Sequence, residues 1–203
     1  MIRISNRSEL LKHLPQNAVC AEIGVSVGNF AWEIYHETNP QKLYLIDMWK
    51  KKDDFELVHH KFGKNEKIIL MKGKSPDILN EFDDGFFDWV YIDADHRYKE
   101  VMEDLKICRK KVKTNGIILG HDYVLDTSLV RFPTGVAQAV HEFCKKYNWE
   151  ISHLTNESHL HHSFAIKSLK FKSLKNHEIQ FKKNISAKKK MSKVKKLTEN
   201  VLK

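Results

Sequence analysis

No stretch of this 203-residue chain approaches the roughly 18 consecutive apolar residues that a membrane-spanning helix needs. The opening "MIRISNRSELLKHLPQNAV" lacks the apolar core of a secretory signal, so a cytoplasmic location is expected. Cysteine is scarce. Cys20, Cys108 and Cys144 are odd in number, far apart and set in apolar-patterned segments. That argues against a disulfide framework or a thiolate zinc cage, and fits free buried thiols in a reducing compartment. Apolar content is ordinary at 41%, which suits one globular domain with a sizeable core and an appendage.

Acidic residues are what the C-terminal end lacks. Residues 167–203 hold 13 lysines against Glu178 and Glu199, a surplus of +11. Residues 1–166 carry 22 basic and 24 acidic groups, a balance of −2. The net charge of +9 is therefore a property of the tail. The chain divides into a domain at 1–168 and a lysine-rich tail at 169–203, which like-charge repulsion predicts to be disordered or a loosely docked helix.

Within the domain, apolar runs of strand length alternate with amphipathic segments of helix length. Strands are expected at 18–24, 42–49, 67–73, 86–95 and 116–123, and helices at 29–38, 53–63, 75–82, 98–112 and 136–147. Ser75 is placed as the N-cap of its helix, with Pro76 at its first turn. Val101, Leu105, Cys108 and Val112 mark one apolar stripe. Segments 150–155 and 162–168, parted by a polar turn, suggest a terminal antiparallel pair. The alternation predicts a doubly wound α/β fold, with a ligand at the carboxyl ends of its parallel strands where strand order reverses.

The dinucleotide fingerprint G-x-G-x-x-G is also missing, since "AEIGVSVGNF" has Ser26 where the second glycine would stand. Gly24 and Gly28 still let the backbone approach a ligand closely at a strand-to-helix turn. Glu22 suits a cationic ligand better than a pyrophosphate. Asp47, ending the second strand, is placed to hold ribose hydroxyls.

"AEIGVSVGNF", "LYLIDMW", "DWVYIDADHRYKEVMEDL" and "NGIILGHDY" together resemble the successive motifs of class I S-adenosylmethionine-dependent methyltransferases. They are most similar to a small bacterial group with D-A-D-H and G-H-D-Y motifs, akin to sugar and natural-product O-methyltransferases. The resemblance covers about residues 18–168. It implies a Rossmann-like, seven-stranded, mostly parallel sheet with an antiparallel last strand. By position, it implies that Glu22 and Gly24 line the methionine moiety of S-adenosylmethionine, Gly28 permits the turn and Asp47 grips the ribose. It also places Met48 and Trp49 beside the sugar or adenine, and Lys74 and Ser75 beside the adenine. A carboxylate such as Asp93 near a sulfonium makes electrostatic sense.

The fourth and fifth strands should lie side by side, gathering Asp93, Asp95, His96, His121 and Asp122. Methyl transfer requires alignment and a nucleophile freed of its proton. His96 or His121 could take that proton directly. Alternatively, the resemblance to metal-dependent O-methyltransferases implies a divalent ion on Asp93, His121 and Asp122, a set that suits Mn²⁺, Fe²⁺ or Zn²⁺ better than Mg²⁺. A third reading is that these groups only cap strand ends. "HLHH" at 159–162 and His153 read as solvated turn histidines, and His59 and His60 as surface positions. Residues 131–140 should cover the substrate, with Tyr123 and Arg131 in reach of it.

The chain lacks the Asn/Asp-Pro-Pro-aromatic signature of base or amide nitrogen methylation after its fourth strand. An oxygen nucleophile is therefore expected, on a small hydroxyl compound such as a sugar or glycan precursor. One rival is an RNA-modifying methyltransferase anchored by the tail, although only Phe171 and Phe181 are available there for stacking, so a nucleic-acid partner is not favoured. Another is a non-catalytic protein whose tail docks on an anionic membrane surface or a partner enzyme. A nicotinamide-dependent dehydrogenase is discounted for want of the fingerprint and of a second catalytic domain.

Overall fold

A strand buried on both faces has to be apolar along its whole length, and the segments that meet this demand lie at the centre of the sheet. The computed structural model describes residues 1–125, 134–157 and 160–169. In chain order the elements are β1 (Ile2–Ile4), α1 (Arg7–Leu11), β2 (Val19–Ile23), α2 (Asn29–Thr38), β3 (Lys42–Asp47), α3 (Lys52–Phe62) and β4 (Ile68–Lys72). They continue with α4 (Ser75–Asn80), β5 (Phe87–Ile92), α5 (Tyr98–Lys111), β6 (Val112–Tyr123), α6 (Val136–Tyr147), β7 (Trp149–Thr155) and β8 (His162–Ser168).

The eight strands form one sheet in the order β1-β7-β8-β6-β5-β2-β3-β4. All pairs are parallel except those of β8, which runs antiparallel to both β6 and β7. Strand order reverses between β2 and β5, which opens a crevice at their carboxyl ends. One face is covered by α1, α2 and α3 through Leu10, Leu11, Phe30, Ile34, Val58 and Phe62. The other packs on α4, α5 and α6 through Leu79, Val101, Leu105, Val140 and Phe143. No helix among the described residues is long and apolar enough to cross a membrane.

The doubly wound sheet and its reversed strand agree with the sequence reading, with three corrections. An eighth strand, β1, pairs parallel to β7 at the sheet edge. Three residues are too few to carry a readable period. Val112 ends the helical stripe by starting β6, whose twelve residues reach back from the expected Gly116. Ser75 is the first residue of α4 rather than its cap, which is Lys74. Its hydroxyl donates instead to Asp104 Oδ1 at 2.7 Å.

The carboxyl ends of the three central strands are level. Ile23 is in register with both Ile46 and Ile92. Beyond it, Gly24 N–H donates to Ile46 O at 2.8 Å and Asp93 N–H to Ile23 O at 2.7 Å. Gly24 has φ +87, and a Cβ there would lie 2.1 Å from the Asp93 carbonyl oxygen. Only glycine fits. Gly85, at φ +74, would place a Cβ in open space. Gly24→Ala should therefore cost about 3 kcal/mol or more in urea unfolding, through strain plus overlap. Gly85→Ala should cost only about 1 kcal/mol, from strain alone. Equal losses would show that the crest yields more easily than this packing implies.

Candidate functional site

The turn after β2 is shaped by Asp47 at the end of β3. Its Oδ2 accepts the N–H groups of Val25 and Ser26 at 2.8 and 2.9 Å, and its Oδ1 accepts Trp49 N–H at 2.6 Å. Ser26 is thereby held at φ 52, the left-handed conformation a glycine would take without penalty. Trp49 Nε1 donates to Ser26 O at 2.9 Å and completes the clamp.

Below this turn lies a cavity of about 670 Å³ at the carboxyl ends of β2, β3, β4 and β5, a size suited to a small ligand or cofactor. Gly24, Asp47, Met48, Lys74, Ser75 and Asp93 line it, all expected there from the sequence. Its ionisable lining is mostly acidic, with Asp47, Asp93, Asp95, Glu100, Glu103 and Asp104 facing Lys50, Lys74 and Arg97. Arg97 is already engaged by Asp95 at 2.8 Å and Glu100 at 3.0 Å.

Three cofactor residues expected from the sequence, Trp49, Gly28 and Glu22, do not line the cavity. Trp49 turns inward, 2% exposed, with its ring edge-on to Phe55. It buttresses the turn and does not line the cavity. Gly28 permits the turn as expected, with φ +76, and a Cβ there would also meet Phe62 and Val58 of α3, so its place is against that helix and not in the cavity lining. Glu22 is 1% exposed, and its Oε2 has no hydrogen-bond partner among the described residues. Burial pushes its carboxyl well up, Asp93 adds to the shift and Arg7 opposes it. A buried, unpartnered carboxyl beside a second carboxylate is poised for a cationic group.

Next to the cavity, where β5 and β6 end, the expected polar cluster is present in a different arrangement. His96 Nε2 lies 2.8 Å from Asp122 Oδ2 and 3.7 Å from Asp93 Oδ1. Hydrogen bonds to Asp122 and then Asp93 push His96 up to about 10, against the lesser effect of burial. It is an imidazolium at neutral pH and does not serve as a general base while this bridge stands. Burial raises the Asp122 carboxyl, but the adjacent His121 and His96 imidazoles outweigh it and hold the group well below the usual carboxylate range. His121 Nδ1 stands 3.5 Å from Asp122 Oδ1 and 3.9 Å from Asp93 Oδ1, beyond good hydrogen-bond length.

The set that could hold a metal is correspondingly Asp93, His96 and Asp122, whose donor atoms lie within 4.8 Å of one another. His96 takes the place expected for His121. Other residues near the cluster make contacts that the sequence reading did not assign. His161, expected to be a solvated turn residue, hydrogen-bonds through Nδ1 to Asp122 Oδ1. Arg7 brings its guanidinium 3.8 Å from Asp93 Oδ2 and 4.3 Å above the Phe30 ring. Thr134 Oγ1 donates to Asp122 O, and Gly135 N–H to His96 O, which anchors the start of α6 against the cluster.

Of the remaining expectations, His59 and His60 are exposed on α3, as read from the sequence. Tyr123 is buried and its hydroxyl meets His141 Nε2 at 2.5 Å, so it faces α6 and not the crevice. Arg131, His159, residues 131–133 of the expected cover and nearly all of the tail lie outside the described residues.

The His96 bridge has a measurable pH signature. Its folded value lies above the ordinary 6.5, so its stabilisation is complete below pH 6.5 and is lost as pH rises through about 10. NMR of the metal-free protein should show the His96 ring protonated at pH 8. His96→Gln should flatten the decline in stability between pH 6.5 and 10. A ring that titrates near 6.5 would contradict the bridge.

A family model described as a methyltransferase domain matches residues 21–123. No curated relative matches the chain by sequence. Among solved structures, fibrillarin of Aeropyrum pernix, in complex with natively bound S-adenosyl-L-methionine, superposes with a TM-score of 0.62 at 14% identity, covering 79% of this chain and 73% of that one. A SAM dependent methyltransferase from Aquifex aeolicus gives 0.59 at 11% identity, with 77% and 86% covered. The B. subtilis M1A22 tRNA methyltransferase TrmK gives 0.58 at 13%, with 83% and 68% covered. With its reversed strand β8, its strand-end crevice and the match over 21–123, this chain belongs to the methyltransferase-domain family and has the fold of the class I S-adenosylmethionine-dependent methyltransferases.

Proposed function

We propose that the protein transfers the methyl group of S-adenosylmethionine to a hydroxyl of a small molecule, a sugar or glycan precursor. One observation carries the cofactor assignment: the crevice is acidic where a nucleotide pyrophosphate would need cations. A sulfonium and an α-ammonium are favoured near Asp93 and the buried Glu22, whereas phosphates are not. Asp47 retains acceptor capacity for ribose hydroxyls after taking three backbone N–H groups. Exposed Met48 offers an apolar contact for the sugar or base.

The oxygen acceptor is supported by the ionisable cluster at the same strand ends. S-adenosylmethionine supplies an electrophilic methyl group, and the enzyme's task is to align the acceptor and remove its proton. With His96 engaged as an imidazolium, His121 is the imidazole available for that proton. Asp93 Oδ1 lies near both rings, 3.7 Å from His96 Nε2 and 3.9 Å from His121 Nδ1. A divalent ion on Asp93, His96 and Asp122 would instead lower the pKa of the hydroxyl directly, and one imidazole among two carboxylates fits Mn²⁺, Fe²⁺ or Zn²⁺.

The lysine-rich residues 169–203 favour a second reading, in which the tail brings the enzyme to an anionic partner, whether RNA, a membrane surface or an acidic enzyme. Full-length protein titrated with RNA at 50 and 200 mM salt tests the first of these. Steep salt dependence without methyl incorporation would indicate anchoring only.

Transfer of labelled methyl groups to a panel of nucleotide sugars and oligosaccharides tests the main proposal. Asp93→Ala should reduce turnover at least about a thousandfold while changing cofactor affinity less than about tenfold. Asp47→Ala should weaken cofactor binding first. Normal turnover by Asp93→Ala would place the reaction elsewhere, and a wild-type protein that binds no S-adenosylmethionine by calorimetry would end the proposal.

A further inference from the structure

Beside Asp93, away from the large cavity, stands a cation whose hydrogen-bonding capacity is unspent. Arg7 opens α1, and its backbone N–H is fixed by Glu157 Oε1 at 2.9 Å. Its guanidinium sits 4.3 Å over the Phe30 ring of α2, an attractive contact that restrains the group without using its N–H donors. The side chain is 31% exposed, so it is neither buried nor free in solvent. Of its five N–H donors, none is hydrogen-bonded among the described residues. The carboxylate that approaches it, Asp93 through Oδ2, is 3.8 Å away and beyond hydrogen-bond length.

The other acids of this region are committed elsewhere. Glu157 gives its second oxygen, Oε2, to Ser163 N–H at 3.2 Å and to the Thr155 hydroxyl. Glu33 accepts the Ser8 hydroxyl at 2.5 Å. Asp122 is taken by His96 through Oδ2 and by His161 through Oδ1. Glu22 feels Arg7 only as a charge at a distance, since its Oε2 has no partner. A guanidinium held in place with its fork unspent is preorganised for an oxyanion that comes from outside the protein.

Arg7 does not line the large cavity. It meets the imidazole cluster instead, at a shared carboxylate: the guanidinium approaches Asp93 Oδ2, and His96 and His121 approach Oδ1. We propose that the acceptor is an acidic sugar, its carboxylate or phosphate held by the Arg7 guanidinium while a neighbouring hydroxyl lies at Asp93 and His121. This rests on the methyl-transfer reading above and narrows its substrate class. Because Arg7 and His121 flank the two oxygens of one carboxylate, the acid group and the reacting hydroxyl must be close together on the acceptor. In a uronate, the carboxylate and the hydroxyl on the next ring carbon meet that condition. A neutral sugar would take water from the guanidinium and offer no charge in return, so the same residue selects against it. Arg7 exchanges no proton here; it determines specificity.

NMR titration of the full-length protein, saturated with S-adenosylhomocysteine, tests the assignment. The probes are glucuronate and galacturonate, glucose 6-phosphate and galactose 6-phosphate, and the neutral glucose and galactose. One acidic set should bind about tenfold or more tighter than the neutral sugars and shift the Arg7 Nε–H resonance; which set does so says whether the oxyanion is a carboxylate or a phosphate. Arg7→Met should bind acidic and neutral sugars within about threefold of each other, and Arg7→Lys, which keeps the charge but not the fork, should fall between. Both variants should bind S-adenosylhomocysteine within about threefold of the wild type. Acidic and neutral probes that bind equally, or no binding by any of them, overturn the proposal. So does a Met variant that keeps the preference, or one that loses S-adenosylhomocysteine instead, since the guanidinium would then serve the cofactor's own carboxylate. In each of those cases binding of S-adenosylhomocysteine by the wild type leaves the cofactor reading intact, whereas its failure ends both. Should the variants not fold, the wild-type preference and the Arg7 Nε–H shift still decide, since the lack of either refutes the assignment.

Discussion

Two backbone hydrogen bonds hold the crest of this sheet level, Gly24 N–H to Ile46 O and Asp93 N–H to Ile23 O. They bring the turn after β2 so close to the end of β5 that no Cβ fits between them. The functional groups depend on that contact. It sets Asp93 between the large cavity on one side and His96 and His121 on the other. It also brings Gly24 and Ser26 to where Asp47 can tie the turn down from the neighbouring strand. If the two strand ends moved apart, the cavity and the polar cluster would lose their shared wall.

Backbone strain is concentrated on the same crest. Ser26, Trp49 and Asp122 have φ values of 52, 37 and 54, in the left-handed region that costs a non-glycine residue of order 1–3 kcal/mol. Each is held by several partners. Asp47 accepts from the backbone of both Ser26 and Trp49, and the indole of Trp49 returns a bond to Ser26 O. Asp122 is gripped through its side chain by His96 and His161, and through its carbonyl by Thr134. Strain sustained by this many contacts is a mark of preorganisation. The loop that would receive the cofactor and the carboxylate that would face the acceptor are both shaped before any ligand arrives.

Much of this was legible in the sequence because the central strands and the acids that end them are adjacent in the chain. The apolar runs ending in Asp47 and Asp93 announced both a strand and its functional terminus. Helices α2 and α6 were read to the residue, since their periods are long and their ends are clear. What escaped depended on contacts across the fold. Ser26 looked like a departure from a glycine pattern, yet Asp47 and Trp49 impose the glycine-like conformation on it. The resemblance places Trp49 beside the sugar or adenine, but its left-handed backbone turns the indole into the core. His161 is separated from Asp122 by 39 residues, and only the antiparallel β6–β8 pairing brings them together. Asp104 was hidden among the apolar positions of α5, where a pattern reading sees one polar interruption and no cavity.

The division of charge along the crevice bears on mechanism as well as on binding. On the cavity side the carboxylates outnumber the cations, and Arg97 is neutralised by Asp95 and Glu100. On the other side of Asp93, cationic His96 and the Arg7 guanidinium approach the same carboxylate. Asp93 thus stands at the boundary between an acidic half, suited to a sulfonium, and a half containing imidazoles and a guanidinium, suited to an oxygen that becomes more negative as its proton leaves. Methyl transfer moves positive charge from sulfur toward that oxygen. A site that is asymmetric in this sense would seat a sulfonium on one side of Asp93 and the acceptor of the proposed transfer on the other, so its contribution is alignment of the two partners.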